Sequence, residues 1–345
     1  MIGIKGSYRL LFPAVLLLTV IFLLPAKAVH GQSKELIEAA KKEGKVSIFG
    51  SLCKKTVKRI QTSFEKKYPG IKTYYWRGSG TAILKKAMSE YYADKVTWDV
   101  FLTAKDAMEI MRKEGMFAKY QTPLGQYFEK QYHHPFFSPA YRKIIVGFAY
   151  NTKHLKPSEA PKTYADFIDP KWKGKFTMGQ PAGHTFTVQW LSSLHVILGS
   201  KEKEDEYIRR LAANKPHLVQ SMNPTSKVIA SGEVPLGITY IKYVYILGEQ
   251  GAPMDYVRLP GYLGDSQYIS TGSKAPHPNA GKLWIDHFYS PESMKIIAKS
   301  GEFVTMTGVY PPLKGAEKIK YVQMVGRSKK EYKSLKKKYG KIFRK

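Results

Sequence analysis

The chain alternates between short segments with the pattern of a β-strand and longer segments with the pattern of an amphipathic helix. This alternation limits the possible folds more than any other feature. Helical spacing is clear, for example, at Val57, Ile60 and Phe64. Strand patterns occur at residues 46–49, 71–76, 98–102, 143–150, 176–178 and 234–239. Strands that alternate with helices predict an α/β fold built on mostly parallel sheets.

The first 28 residues have the pattern of a secretory signal peptide. Lys5 and Arg9 precede an apolar run over residues 10–24, and the small-x-small sequence 26–28 follows it. The run is shorter than the ~20 residues that a membrane-spanning helix needs. We expect cleavage after Ala28 and a periplasmic or extracellular protein, with an uncleaved membrane anchor as the alternative.

The charge is strongly basic and unevenly distributed. The 345 residues include 56 Lys+Arg and 27 Asp+Glu, a formal net charge of +29, and the C-terminal residues from 314 onward carry 13 basic and 2 acidic side chains. We expect a basic tail over residues 316–345 that is solvated or disordered, with nonspecific binding of DNA or anionic lipid by residues 327–345 as the alternative. Elsewhere the excess charge either attracts an anionic ligand or surface, or only hydrates the protein. The single cysteine, Cys53, excludes an intrachain disulfide.

The loops after the predicted strands supply the candidate binding residues. In α/β sheets, ligands bind at the carboxyl ends of strands, next to the N-termini of the following helices. The candidates in these loops are Ser51, Cys53, Arg77, Ser79, Gly80, Thr81, Thr103, Lys105, Gly183, His184, Thr185, Tyr240, Lys242 and Tyr243.

The chemistry of these loops favours an anion. Backbone N–H groups at helix N-termini attract negative charge, and the guanidinium of Arg77 fits a carboxylate or phosphate. Charge-assisted hydrogen bonds contribute ~1.5–3 kcal/mol each, which allows micromolar affinity after the costs of association. The alternatives are that Ser79 and Thr81 only cap a helix, that Arg77 faces solvent, and that Cys53 only packs. His133 and His134 lack helical metal-ligand spacing and are interpreted as a loop feature.

Nine short sequence blocks follow one another over about residues 38–313. They are KKEGKV (41–46), FEKKYPGI (64–71), RGSG (77–80), WDVFLT (98–103), YNT (150–152), FIDPKWKGK (167–175), SGEV (231–234), GAP (251–253) and APHPNA (275–280). In their joint order and spacing the chain resembles the exported solute-binding proteins of bacterial ABC transporters, in the branch that includes ferric-iron-binding proteins.

The resemblance implies a two-lobed α/β fold of the periplasmic-binding-protein type II class, with a hinge and an interlobe cleft that closes on one solute. It implies lobe 1 at residues 29–140 plus 270–315 and lobe 2 at residues 141–269, with chain crossings near 145–150 and 257–268. It also implies that Asn223 is a polar ligand contact. The expected partners are a small anionic ligand and an ABC permease in the inner membrane. We expect a monomer without a cofactor, enzymatic activity or specific nucleic-acid binding.

The iron-binding branch uses a His, a Glu and two adjacent tyrosines as metal ligands. The positions here that resemble them are Cys53, Ala104, Lys242 and Tyr243, so only one ligand is retained. A lysine ammonium in the shell of a ferric ion would repel the metal. The sequence therefore predicts a carboxylate, phosphonate or phosphate ester as ligand and no metal. A non-standard iron site that includes Tyr243 remains the alternative.

Enzymatic activity and nucleic-acid binding have little support in the sequence. No sequence signature pairs Cys53 with a histidine, and neither a Gly-x-Ser-x-Gly elbow nor a phosphate-binding loop with its lysine is present. The basic composition is compatible with nucleic-acid binding, but no helix-turn-helix or RNA-binding motif is readable.

Overall fold

The computed structural model describes Gly3 and residues 33–344. The predicted signal peptide and its cleavage site lie outside this range, apart from Gly3. Within the described residues, no helix is long and apolar enough to cross a membrane.

Eleven strands and thirteen α-helices are found in the described part of the chain. The strands are β1 (Lys45–Gly50), β2 (Lys72–Arg77), β3 (Val100–Ala104), β4 (Arg142–Asn151), β5 (Phe176–Gly179), β6 (His217–Val219), β7 (Leu236–Tyr240), β8 (Met254–Tyr256), β9 (Tyr262–Thr271), β10 (Phe303–Val304) and β11 (Tyr321–Gln323). The helices are α1 (Lys34–Glu43), α2 (Lys54–Lys67), α3 (Gly80–Tyr92), α4 (Lys105–Lys113), α5 (Tyr164–Phe167), α6 (Thr185–Leu191), α7 (His195–Leu198), α8 (Lys201–Ala213), α9 (Met222–Ser231), α10 (Lys242–Gly248), α11 (Pro278–Phe288), α12 (Pro291–Ala298) and α13 (Lys329–Ile342).

The strands form two sheets that share β4. The first sheet has the order β2-β1-β3-β9-β4, with β1 parallel to β2 and β3. The second sheet continues from β4 through β7, β5 and β6, with β5 parallel to both β7 and β6. The first four residues of β4 pair with β9, and the residues from Val146 to Tyr150 pair with β7. The predicted α/β fold is therefore confirmed, but the prediction of mostly parallel sheets is wrong. In the described residues five strand pairs are parallel and five are antiparallel, because β4 runs antiparallel to all four of its partners and β9 runs antiparallel to β3.

Side-chain alternation explains why both faces of the first sheet are covered. Val46 and Ile48 of β1 join an apolar cluster with α2 and α11, whereas Phe49 points to the opposite face and joins a cluster with α3 and α4. The second sheet has a separate apolar cluster, in which the rings of Phe148 and Phe167 stack 4.0 Å apart. Each half of the described chain thus has its own core.

Glycine allows the two long shared strands to approach closely. Gly264 of β9 pairs with Ile145 of β4, and a Cβ atom at position 264 would lie 2.5 Å from the Ile144 carbonyl oxygen. Any larger residue here would separate β4 from β9 at the point where the chain passes between the sheets.

The C-terminal residues differ from the expected solvated tail, because residues 329–342 form the packed helix α13. Ser328 and Glu331 make a capping box at its start. Tyr332, Leu335, Tyr339 and Ile342 recur at spacings of three or four residues and pack on the core of the second sheet. This apolar face offsets the repulsion among the helix's many lysines.

Replacing Tyr339 by alanine should destabilise the protein by about 3 kcal/mol, since its ring is only 1% exposed and its loss leaves a cavity. Urea denaturation measures the change, and the exposed neighbour Lys341 provides the control Lys341→Ala, with little expected effect. Equal, small effects of both substitutions would show that α13 is not part of the core.

Candidate functional site

The carboxyl ends of β1, β2 and β3 meet at one edge of the first sheet, because the three strands are parallel. Ser51 follows β1, and its hydroxyl donates to Gln267 Oε1 at 3.3 Å. Arg77 is the last residue of β2 and is exposed, whereas Thr103 near the end of β3 is 1% exposed. The three predicted residues Ser51, Arg77 and Thr103 therefore share this edge.

The helices that start at this edge carry the next group of predicted residues. Ser79 caps α3, since its hydroxyl accepts from the Ala82 N–H at 3.3 Å, so the capping alternative is correct for this side chain. Thr81 lies exposed in the first turn. Gly80 approaches Thr103 closely, because a Cβ at position 80 would lie 3.5 Å from its hydroxyl oxygen. Cys53 stands exposed at the start of α2 without a capping hydrogen bond.

Lys105 is the first residue of α4, and its ammonium is half-buried. It lies close enough to His134 to contribute to the lowered pKa of that imidazole, which burial lowers most. His134 itself accepts hydrogen bonds from the N–H groups of Phe136 and Phe137. This confirms the interpretation of His134 as a loop feature, and it places Lys105 towards that loop.

The second sheet presents the corresponding edge at the carboxyl ends of β5 and β7. His184 caps α6 and accepts from the Thr187 N–H at 3.3 Å. Burial and, to a smaller extent, the nearby Lys336 together lower the pKa of His184 to about 4, so the imidazole is neutral at neutral pH. The carbonyl of Gly183 accepts from Lys336 Nζ at 3.3 Å, and Thr185 is half-buried in the first turn. At this edge α13 therefore lies beside the predicted loop.

Two further predicted residues of the second sheet lie at its edge as well. Tyr240 ends β7, with its ring 5.3 Å from Phe186 and 6.1 Å from Tyr243. Asn223 lies exposed in the first turn of α9. Phe186, Tyr240 and Tyr243 thus form an aromatic wall at this edge.

A buried cluster of three charges lies where these elements converge. The Glu302 carboxylate accepts from Arg142 Nη1 at 2.6 Å and from Lys242 Nζ at 2.7 Å. The Glu302 and Arg142 side chains are only 5% and 3% exposed. Burial raises the pKa of Glu302, but Arg142 and Lys242 outweigh burial and lower the pKa to about 2. Glu302 is therefore ionised, and the cluster has one carboxylate for two cations.

Tyr243 connects the two edges. Burial, and after it the charge of Glu302, raises the pKa of its hydroxyl to about 12. Arg77 and Arg142 oppose this rise, and Cys53 reinforces it, so all three groups lie within electrostatic range of Tyr243. Lys242 Nζ also lies 5.5 Å from the centre of the Tyr243 ring. The structure thus brings Cys53 and Arg77 of the first sheet towards Lys242 and Tyr243 of the second.

The predicted residues line neither of two cavities of the described part of the chain. Cavities of about 310 and 250 Å³ in the described part of the chain are lined by other residues, among them His133 in the first and Lys143 in the second. Within the described residues, no group of three or more His, Cys, Asp or Glu side chains is arranged to hold a metal ion. We call the space between the two sheet edges the groove; Arg77, Arg142 and Lys242 make it basic.

Sequence reasoning missed Arg142, Glu302 and Gln267, which connect the two edges. Gln267 Oε1 accepts from Ser51 and, at 3.4 Å, from Arg142 Nη2. The sequence carried a weak signal, because Arg142 and Lys143 start an otherwise apolar strand and Glu302 stands alone before Phe303. A charge next to an apolar run does not reveal its partner 160 residues away.

Comparisons with known proteins agree with this architecture. The family model for bacterial extracellular solute-binding proteins matches residues 46–301. The Fe(3+)-binding periplasmic protein of Serratia marcescens is 26% identical over 286 residues, 79% of this chain and 81% of that protein. An uncharacterized protein of Haemophilus influenzae is 24% identical over 283 residues, 76% of this chain and 78% of that protein.

Solved structures show the same two-lobed fold. The fructose-6-phosphate-bound periplasmic binding protein AfuA of Actinobacillus pleuropneumoniae superposes with a TM-score of 0.68 at 22% identity, over 86% of this chain and 97% of that chain. Iron-bound HitA of Pseudomonas aeruginosa has a TM-score of 0.71 at 18% identity, over 86% and 99% of the two chains. These matches confirm the predicted type II fold.

Glu302→Gln should destabilise the protein by about 3–5 kcal/mol at neutral pH, because it leaves two buried cations without their carboxylate. The folded-state pKa of about 2 lies below the usual 4.5, so the stabilisation by Glu302 is complete above pH 4.5 and is lost as the pH falls towards 2. Denaturation at pH 7 and pH 3 should therefore show a smaller difference at pH 3.

The exposed Glu292 provides the matched control Glu292→Gln, for which we expect a change below about 0.5 kcal/mol. A difference between wild type and Glu302→Gln that does not change with pH would contradict the assignment of an ionised, paired Glu302.

Proposed function

We propose a ligand class for this chain, which belongs to the bacterial extracellular solute-binding protein family and is a periplasmic solute-binding protein of ABC transport. In our proposal, the groove between the two sheet edges binds a small organic anion, either a phosphate ester, a phosphonate or a carboxylate. The protein then delivers this anion unaltered to an ABC permease in the inner membrane.

The observation that carries the proposal is the excess of positive charge around Tyr243. Arg142 and Lys242 share Glu302 as their acidic partner, and Arg77, which acts on the same Tyr243 hydroxyl, makes no ion pair within the described residues. An anion placed between Arg77 and Tyr243 would receive a charge-assisted hydrogen bond from one sheet and a hydroxyl hydrogen bond from the other. Such a ligand holds the two sheets together.

Closure of the groove follows from the way the chain connects the sheets. Strand β4 belongs to both sheets, and its pairing changes from β9 to β7 between Ile145 and Val146. A rotation of one sheet relative to the other therefore bends the β4 backbone near these two residues. We propose lobe 1 at residues 29–140 plus 270–315 and lobe 2 at residues 141–269, with the hinge in β4 and β9. A hinge motion would close the groove around a ligand that is otherwise exposed to solvent.

The AfuA structure, which holds fructose-6-phosphate, supports an organic phosphate as the first candidate for this chain. A thermal-shift series with fructose 6-phosphate, fructose, inorganic phosphate, citrate and ferric citrate separates the classes. We expect stabilisation by at least one anion of the series and none by neutral fructose.

Arg77→Gln should weaken binding of the anion that stabilises most by roughly tenfold to a hundredfold, the value of one charge-assisted hydrogen bond. Calorimetric titration measures the change, with Arg209→Gln on the exposed face of α8 as the control. A response to fructose alone, or equal affinities of the two variants, would contradict the proposed anion site.

A ferric site is the second candidate, because the relative from Serratia marcescens and HitA are iron-binding proteins. Tyr240 and Tyr243 lie close together, with ring centres 6.1 Å apart. Three neighbouring cations disfavour bare Fe³⁺ but suit a ferric ion that arrives with anionic oxygen ligands.

If ferric citrate binds through a phenolate, the complex should show a visible charge-transfer absorption band that Tyr243→Phe removes and Arg209→Gln retains. If ferric citrate gives no such band, and citrate alone raises the melting temperature by the same amount, the ligand is the organic anion and not the ferric ion.

A further inference from the structure

The outward face of helix α13 is a continuous row of lysines. Lys329, Lys333, Lys337 and Lys341 follow one another at four-residue spacing, and all four are exposed. At 1.5 Å rise per residue the row is about 18 Å long. Within the described part of the chain, none of the four makes an ion pair or a side-chain hydrogen bond. We call this face the α13 lysine row.

Several other polar side chains of the helix are already engaged, whereas the exposed Lys330 and Ser334 make no ion pair or side-chain hydrogen bond within the described residues. Lys336 binds the Gly183 carbonyl, Lys338 pairs with Asp205 at 3.0 Å, and Glu331 closes the capping box with Ser328. The lysine row is thus a surplus of positive charge that the protein's own acidic groups do not neutralise.

The packing of α13 makes this surface rigid. Tyr339 is buried, and Gly340 lies against Ala182, where a Cβ at position 340 would come within 3.1 Å of the alanine methyl group. The apolar face of the helix is therefore used by the core and is not free to enter a hydrocarbon layer. The helix can therefore bind a membrane only at the level of the headgroups, by electrostatic attraction and without insertion.

The lysine row also lies next to the candidate site. Lys336 and Gly340 contact the loop before α6, which forms the second sheet's part of the groove. A partner that binds the row would consequently hold the rim of the groove at a fixed distance from itself. Residues 329–342 lie beyond the matched family region, which ends at residue 301, so the family assigns no role to this helix.

We propose that the α13 lysine row binds the surface of a bilayer that contains anionic phospholipids. Each lysine held close to such a surface adds to the attraction. Successive lysines of the row turn by about 40° around the helix, so the four spread over about 120° of one side, and their long side chains reach a common plane from there. A family of extracellular proteins meets phospholipid headgroups in its own compartment, which favours lipid over nucleic acid as the anionic surface. If the protein delivers a solute to a permease, binding of the lysine row to the membrane would also orient the groove towards that permease. This consequence rests on the proposed function, whereas lipid binding itself does not.

The test is co-sedimentation of the purified protein with vesicles of about 30 mol % phosphatidylglycerol in phosphatidylcholine, compared with phosphatidylcholine alone. Replacing Lys329, Lys333, Lys337 and Lys341 by glutamine should lower the partition coefficient at least tenfold. The matched control replaces four exposed lysines that lie outside the second sheet, Lys34, Lys42, Lys45 and Lys66, by glutamine and changes the net charge equally.

Binding should require phosphatidylglycerol and weaken strongly between about 0.1 and 0.5 M salt, because the attraction is electrostatic. Thermal denaturation of both variants confirms that the helix still folds, and the ligand affinity, measured in parallel, should be unchanged. Equal loss of binding in both variants would overturn the proposal, since any surface lysines would then suffice. Tighter binding of the row to duplex DNA than to the vesicles, at equal phosphate concentration, would also overturn it.

Discussion

One buried carboxylate joins the parts of the chain on which the candidate site depends. Glu302 binds Arg142, the first residue of the shared strand β4, and Lys242, the first residue of helix α10. These three residues are far apart in sequence, so their pairing fixes the second sheet's edge against the start of β4. Because the carboxylate neutralises only one of its two cations, the same interaction that orders the junction leaves it positively charged.

The sequence predicted the local elements well, because their signals are local. Each of the six predicted strands is present. The antiparallel strand β9 was visible only as part of an expected chain crossing, since its run from Tyr262 to Thr271 contains the polar residues Asp265, Ser266 and Gln267. Their burial depends on partners from β4 and β11 that no sequence window contains.

For the candidate site, too, the features set by local sequence were predictable and those set by distant partners were not. The positions of Arg77 and Tyr243 were predictable from the rule that ligands meet the carboxyl ends of strands. The capping roles of Ser79 and His184 were decided by hydrogen-bond geometry that the sequence does not determine. The C-terminal segment was misjudged because its lysines dominate the composition, although its apolar residues 332, 335, 339 and 342 already carry helical periodicity.

The central claim is that an anion draws the two sheets together across the groove. The most direct measurement is the distance between spin labels at Lys85→Cys on α3 and Lys227→Cys on α9, both exposed positions, in a Cys53→Ser background. Double electron–electron resonance with and without the anion that gives the largest thermal stabilisation should show a shorter and narrower distance distribution in the complex. A distribution that stays unchanged at saturating anion would contradict the account.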